Sequence, residues 1–169
     1  MRTSIQMSLI KPVRFYPMWL AALLLACSVS LTHAAGFSVT DTTGKTHTLA
    51  GYKGKWVLVN FWATWCPPCL EEIPDLIALS EANKNRLIVI GIALDYRSAK
   101  QVIDFADGLM VSYPIVLGTN KVVNQIAPVD GLPTTYLFNP DGKIVAQQTG
   151  PITRKAVEDF MKSKPARKK

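Results

Sequence analysis

The sequence predicts an α/β domain, and three features carry that prediction. Two nearly continuous β-prone runs, Trp56–Trp62 and Arg86–Asp95, are of the kind that fills the middle of a sheet. Between them Leu70, Ile73, Leu76, Ile77 and Leu79 recur at three- and four-residue spacings, a helical pattern. Strand, helix and strand in that order make a right-handed parallel unit. Further on, Thr135–Phe138 and Lys143–Gln147 flank Asn139-Pro140-Asp141-Gly142, turn chemistry that joins antiparallel strands. At 169 residues the chain has room for one domain of ordinary size with its own core.

The remaining elements follow in order. Phe37–Thr40 and Lys45–Leu49, either side of the turn Asp41-Thr42-Thr43-Gly44, predict a small leading hairpin. Gly51 and Gly54 punctuate the approach to the first buried run, and Ala63-Thr64-Trp65 leads from it into Cys66-Pro67-Pro68-Cys69. Pro74 is expected to kink the helix that comes next. Ser98 caps a helix through Gly108, with Val102, Ile103 and Phe105 facing in. Tyr113–Gly118 is a short strand, and Asn120 opens a short helix to about Ala127. Thr153 caps a final helix carrying Val157, Phe160 and Met161. No repeats and no long linkers interrupt the pattern.

The ends of the chain differ from its middle. Arg2, Lys11 and Arg14 precede an uncharged run of 17 residues, Phe15–Leu31, followed by small residues at Ala34 and Ala35. This is the pattern of an export signal cleaved after Ala34 or Ala35. Two other readings stand beside it. Leu24-Leu25-Ala26-Cys27 resembles a lipoprotein signal in which Cys27 is acylated, and the uncharged run is long enough to stay as a membrane anchor. All three place the domain outside the cytoplasm, with boundaries at 1–35 for the leader, 36–163 for the domain and 164–169 for a basic tail. The formal charge is +7, but five of the 19 basic residues lie in the last eight. Between 36 and 161, 11 basic residues face all 12 acidic ones, a net of −1. A near-neutral domain lacks the basic face that nucleic-acid binding requires. The tail reads as a frayed, solvated end, with weak attraction to anionic lipid as the alternative.

Cleavage of the leader would leave Cys66 and Cys69 as the only cysteines. A bridge between them closes too short a loop to stabilise the fold much, so chemistry explains the pair better. Thiol–disulfide exchange needs a thiolate that attacks and a second thiol that releases the mixed disulfide. A helix N-terminus lowers the pKa of Cys66 through unpaired N–H groups and the helix dipole, and Cys69 lies about one turn further on. Pro67 and Pro68 suit a first turn, where missing N–H groups cost little. Cys66 is therefore the nucleophile and Cys69 the resolving thiol. Zinc wants four ligands, and only His47 remains as a further soft one, so neither a metal nor another cofactor is expected.

Gly54–Pro74, around Trp65-Cys66-Pro67-Pro68-Cys69, together with Gly131–Gly142, resembles the TlpA/ResA-like extracytoplasmic thioredoxins from about Phe37 to Met161. The resemblance implies a thioredoxin fold, a central mixed sheet flanked by helices, with the leading hairpin as an addition. It implies that Pro133 is cis and faces the disulfide, leaving the backbone of Leu132 free to pair with an extended substrate. Asn60 stands where thioredoxins carry a buried Asp, and Asn cannot take a proton. Glu72, three residues after Cys69, matches an acidic position of this family and is the candidate acid–base group; the competing reading is a solvated helical carboxylate. Glu71 is read as surface. Trp65 shields the pair and contacts partners, while Trp56 and Trp62 belong to the core. Strong oxidants of this fold carry a His between the cysteines and a helical insertion, and this chain has neither. A reductant of protein disulfides follows, supplied by a transmembrane thiol donor, with cytochrome c maturation or copper-site assembly as consumers. The alternatives are a copper-binding assembly factor and an oxidase or isomerase of secreted proteins.

Overall fold

The computed structural model describes residues 36–164. The leader, with Cys27, Ala34 and Ala35, and the last five residues of the tail lie outside the described residues.

Two short strands, β1 (Ser38–Thr40) and β2 (Thr46–Thr48), form the leading hairpin. Asp41 shapes its turn by accepting the N–H groups of Thr43 and Lys45 on Oδ1. Gly44 closes the turn at φ +89°, a conformation that side chains resist. A 3₁₀ turn at Ala50–Tyr52 leads to β3 (Trp56–Trp62), buried along its whole length. Helix α1 (Pro67–Ala82) follows and runs continuously through Pro74. Next come β4 (Leu87–Ala93), α2 (Ala99–Gly108), β5 (Ile115–Leu117), α3 (Asn120–Val123), β6 (Thr134–Phe138), β7 (Ile144–Thr149) and α4 (Arg154–Ser163). The five-stranded sheet has the order β5-β4-β3-β6-β7. β4 is parallel to β3 and β5, whereas β6 runs antiparallel to β3 and β7. The mixed sheet flanked by helices is thus present, with the hairpin added.

Alternation along β3 sorts the core into two layers. Trp56, Leu58 and Trp62 face α1, α2 and α4 through Ile73, Leu76, Val102, Val157 and Met161. Val57, Val59 and Phe61 face the other way, against Phe37, Val39, Tyr136 and Phe138. The hairpin folds onto this second layer. It also covers the β5 edge, where Asp41 bridges Val116 and Thr42 N–H donates to Ile115 C=O at 2.8 Å.

Serine and threonine caps start the later helices: Ser98 accepts Gln101 N–H, Thr119 accepts Val122 N–H and Thr153 accepts Ala156 N–H. The helix expected to run to Ala127 is shorter. After Val123 the chain tightens at Gln125 and Ile126, whose N–H groups reach three residues back to Val122 and Val123 C=O, and Ala127 N–H closes one last wider turn on Val123 C=O. Pro128 stops any continuation, because the residue before it, Ala127, avoids the α conformation. On α2, Val102 is fully buried and Phe105 packs at the core margin, with Ala106 completing the inner face.

Candidate functional site

The turn after β3 delivers Cys66 to the N-cap of α1 in an extended conformation, φ −95° and ψ 101°. Pro67 and Pro68 occupy the first two helical positions. Cys66 and Cys69 form a disulfide, with Cα atoms 5.3 Å apart. Cys66 retains 3% exposure and Cys69 none. The first turn has no N–H group left over. The two prolines have none, and Cys69 and Leu70 both donate to Cys66 C=O, at 3.0 and 3.2 Å. The unpaired N–H groups expected beside Cys66 are therefore absent from this first turn.

Trp65 stands beside the pair, 57% exposed, with its indole N–H donated to Asp95 C=O at 3.0 Å. Trp56 and Trp62 are core residues. Pro133 is buried and the Leu132–Pro133 peptide is cis. Thr134 pairs with Phe61, which puts this peptide at the sheet end where β3 runs out into the CPPC turn. Leu132 packs against both layers of the core. Among the described residues, its backbone N–H and C=O make no hydrogen bond.

Glu72 is 2% exposed, on the same inner face of α1 as Cys69 and Ile73, whereas Glu71 is exposed. Its Oε1 accepts from Asn60 Nδ2 at 2.7 Å, and its Oε2 accepts from the backbone N–H of Ile152 at 2.9 Å. The reading of a solvated carboxylate is corrected by this burial. Burial raises the Glu72 pKa, and the Ile152 and Asn60 donors offset part of the rise. The hydroxyl of Tyr113 is also raised, by burial and then by the Glu72 charge.

The sequence reading missed the rest of this network. Asn60 Nδ2 also donates to Thr135 Oγ1 at 3.0 Å, across the β3–β6 pair. Asn60 Oδ1 is buried and has no partner. Thr135 and Ile152 line a cleft of about 520 Å³ between β6, β7 and α4, otherwise walled mainly by Leu58, Leu137, Val157 and Phe160. A polar amide inside an otherwise apolar strand was the available signal. A second buried cluster lies in the hairpin, where His47 joins Asp41 Oδ2 through Nε2 at 2.7 Å and Tyr52 through Nδ1.

A disulfide at a helix start, its second cysteine fully buried, and a buried carboxylate one turn on are equipment for thiol–disulfide exchange. The family model for the AhpC/TSA family matches residues 31–147. The chain belongs to the AhpC/TSA family. This AhpC/TSA-family chain is 37% identical over 129 residues to the thiol-disulfide oxidoreductase ResA of Bacillus subtilis, covering 76% of the chain and 72% of that protein. It is 33% identical to the thioredoxin-like protein YneN of the same organism, over 83% of the chain and 94% of YneN. Among solved structures, a thioredoxin-family thiol:disulfide interchange protein from Chlorobium tepidum superposes with a TM-score of 0.70 at 28% identity. That match covers 76% of this chain and 92% of the other. The AhpC/TSA-family chain is a thiol:disulfide oxidoreductase of thioredoxin fold.

Proposed function

We propose that this oxidoreductase reduces protein disulfides outside the cytoplasm, with Cys66 as nucleophile and Cys69 as resolving thiol. The start of α1 carries the reading: an incoming sulfur meets Cys66 at the N-cap, while Cys69 is wholly buried behind it. The Cys66 thiolate attacks one sulfur of a substrate disulfide, and the other substrate sulfur leaves as a thiolate that takes up a proton. Cys69 passes its proton to Glu72 and attacks Cys66 Sγ. The bond from Cys66 to the substrate breaks, the second substrate sulfur leaves as a thiolate that takes up the proton held by Glu72, and the Cys66–Cys69 bond closes. Burial moves Glu72 toward the pKa of a thiol, which suits a base for this step. An extended substrate segment pairs with the free backbone of Leu132 beside Pro133, and Trp65 offers it an exposed aromatic face.

A first turn without spare N–H groups supports the reductant direction, because a weakly stabilised thiolate makes the reduced form less favoured. Electrons then come from a transmembrane thiol donor, and cytochrome c maturation or copper-site assembly consumes them. Residues 1–35 serve as the export signal or membrane attachment, 36–163 as the catalytic domain and 164–169 as a basic tail, in a periplasmic setting.

Three measurements test this. The reduction potential is expected at or below about −200 mV, and one near −120 mV would make the protein an oxidant. Cys69→Ala is expected to accumulate mixed disulfides with its substrates in cells. Residues 1–40 fused to a reporter active only outside the cytoplasm are expected to give activity, and a silent fusion would end the claim of export.

A further inference from the structure

The turn that presents Cys66 is held from the side of β4. Cys66 N–H donates to Ala63 C=O at 3.2 Å, which closes a turn with Thr64 and Trp65 at its centre. Both central side chains are tied to the segment after β4. The Trp65 indole N–H donates to Asp95 C=O, and Gln101 Nε2 donates to Thr64 Oγ1 at 3.2 Å. Gln101 Oε1 in turn accepts the backbone N–H of Arg97 at 3.0 Å. That N–H can only donate, so it decides which end of the amide faces the loop and leaves Nε2 for Thr64. Asp95 sits at φ +50°, a left-handed conformation that persists only where its surroundings hold it. Ahead of it Leu94 N–H donates to Trp62 C=O at 2.8 Å, and after it the hold is that of Gln101 on Arg97. The start of α2 does not need the Gln101 side chain, because Ser98 caps it through the Gln101 backbone N–H.

We propose that Gln101 and Thr64 are positioning residues for Trp65: they brace the loop after β4 against the turn that carries Cys66, and so keep the indole in place for an incoming substrate. The inference rests on the reading of Trp65 as a substrate contact and names what holds it there. β3 lies between β4 and β6 in the sheet. The segment after β4 therefore flanks the Cys66 turn on one side, and Leu132–Pro133, ahead of the antiparallel β6, flanks it on the other. On the β4 side Trp65, Asp95, Tyr96, Arg97 and Gln101 line a cleft of about 720 Å³. Without the brace Asp95 relaxes to an ordinary negative φ and its C=O turns away from the indole. Trp65 then loses its fixed place beside the disulfide.

Deuterium exchange of the Trp65 indole N–H, followed by NMR in the ¹⁵N-labelled oxidised protein, reads the brace directly. Its signal is the one missing from Trp65→Phe, and the core indoles of Trp56 and Trp62 serve as controls. Thr64→Val and Gln101→Ala are each expected to speed that exchange about fivefold, the scale of one net hydrogen bond, while Thr64→Ser stays near wild type. Thr64→Val is the sharper variant, because Thr64 does not line the cleft. The same variant, reduced, is then mixed with a cyclic peptide closed by one disulfide. The half-saturating peptide concentration is expected to rise about fivefold with the limiting rate unchanged, again on the scale of one hydrogen bond. Its reaction with dithionitrobenzoate, too small to need the indole, keeps the wild-type rate. Indole exchange at the wild-type rate in both variants overturns the proposal, and so does faster exchange with an unchanged half-saturating concentration. Thr64→Ala removes the same hydroxyl and decides the question if the valine variant does not fold. Trp65→Ala separates the two claims. A half-saturating concentration equal to wild type would remove Trp65 from substrate binding, whatever Thr64 and Gln101 do to its exchange.

Discussion

Pro67 and Pro68 remove two N–H groups from the start of α1, and the next two both serve Cys66 C=O. A thiolate at Cys66 draws on the helix dipole, worth roughly 0.3–1 kcal/mol, and on its residual access to water. Cys69 has no such access. Alkylation of the reduced protein at neutral pH should label Cys66 at least about tenfold faster than Cys69, a ratio worth about 1.4 kcal/mol. Peptide mapping of a partial reaction measures it, and equal rates would undo the division of roles. The two cysteines and Pro133 were legible in the sequence because each stands in a local motif. The burial of Glu72 was not, since Ile152, its backbone donor, lies 80 residues away. Nor was the place of Thr135, 75 residues from Asn60. Side-chain polarity alone told only that Asn60 was out of character in an apolar strand.

At the level of elements, α4 holds the site from outside. Thr153 caps it, Arg154 N–H donates to Asp75 on α1 at 3.0 Å, and Ile152 just ahead donates to Glu72. One loop thus fixes a helix start and a carboxylate together. Thr153→Ala should cost about 1 kcal/mol of stability, the usual value of a lost cap, read as a lower midpoint in denaturant. A larger loss would mean that the bonds at Asp75 and Glu72 slacken with the cap. Every α-helix and strand of the described residues was visible in the sequence, because periodicity, caps and turn residues are local signals, whereas the 3₁₀ turn at Ala50–Tyr52 was not. The end of α3 was misplaced for a nonlocal-looking but simple reason: apolar residues continue past Val123, while the backbone has already tightened toward Pro128.

Across the whole molecule, the hairpin is tied down by charge as well as by packing. Burial works to raise the Asp41 pKa, but hydrogen bonds from the Thr43 side chain, His47 and the backbone of Lys45 and Thr43 outweigh it and hold the carboxyl well below the usual range. A depressed carboxyl stabilises the fold above the pKa it has when unfolded, and that contribution fades as pH falls through the folded value. Acid should therefore weaken the protein progressively below about pH 4. Asp41→Asn should flatten that acid limb and lower stability at neutral pH by roughly 2 kcal/mol, the scale of a hydrogen bond to a charged group. Urea unfolding at pH 3 and pH 7 compares the two, and parallel losses in wild type and variant would place the acid sensitivity elsewhere. The distances along the chain that hid the site also govern how it comes into being. Cys66 and Cys69 are made long before Thr135 and Ile152, and at 5–20 residues per second the interval is roughly 4–17 s. For that time the newborn dithiol lacks β6, with the Leu132–Pro133 peptide that comes to lie at the end of β3 beside the CPPC turn, and the backbone donor of Glu72. Each copy therefore begins life as an unguarded dithiol, open to pairing with whatever sulfur it meets, and becomes a selective one when its last third arrives.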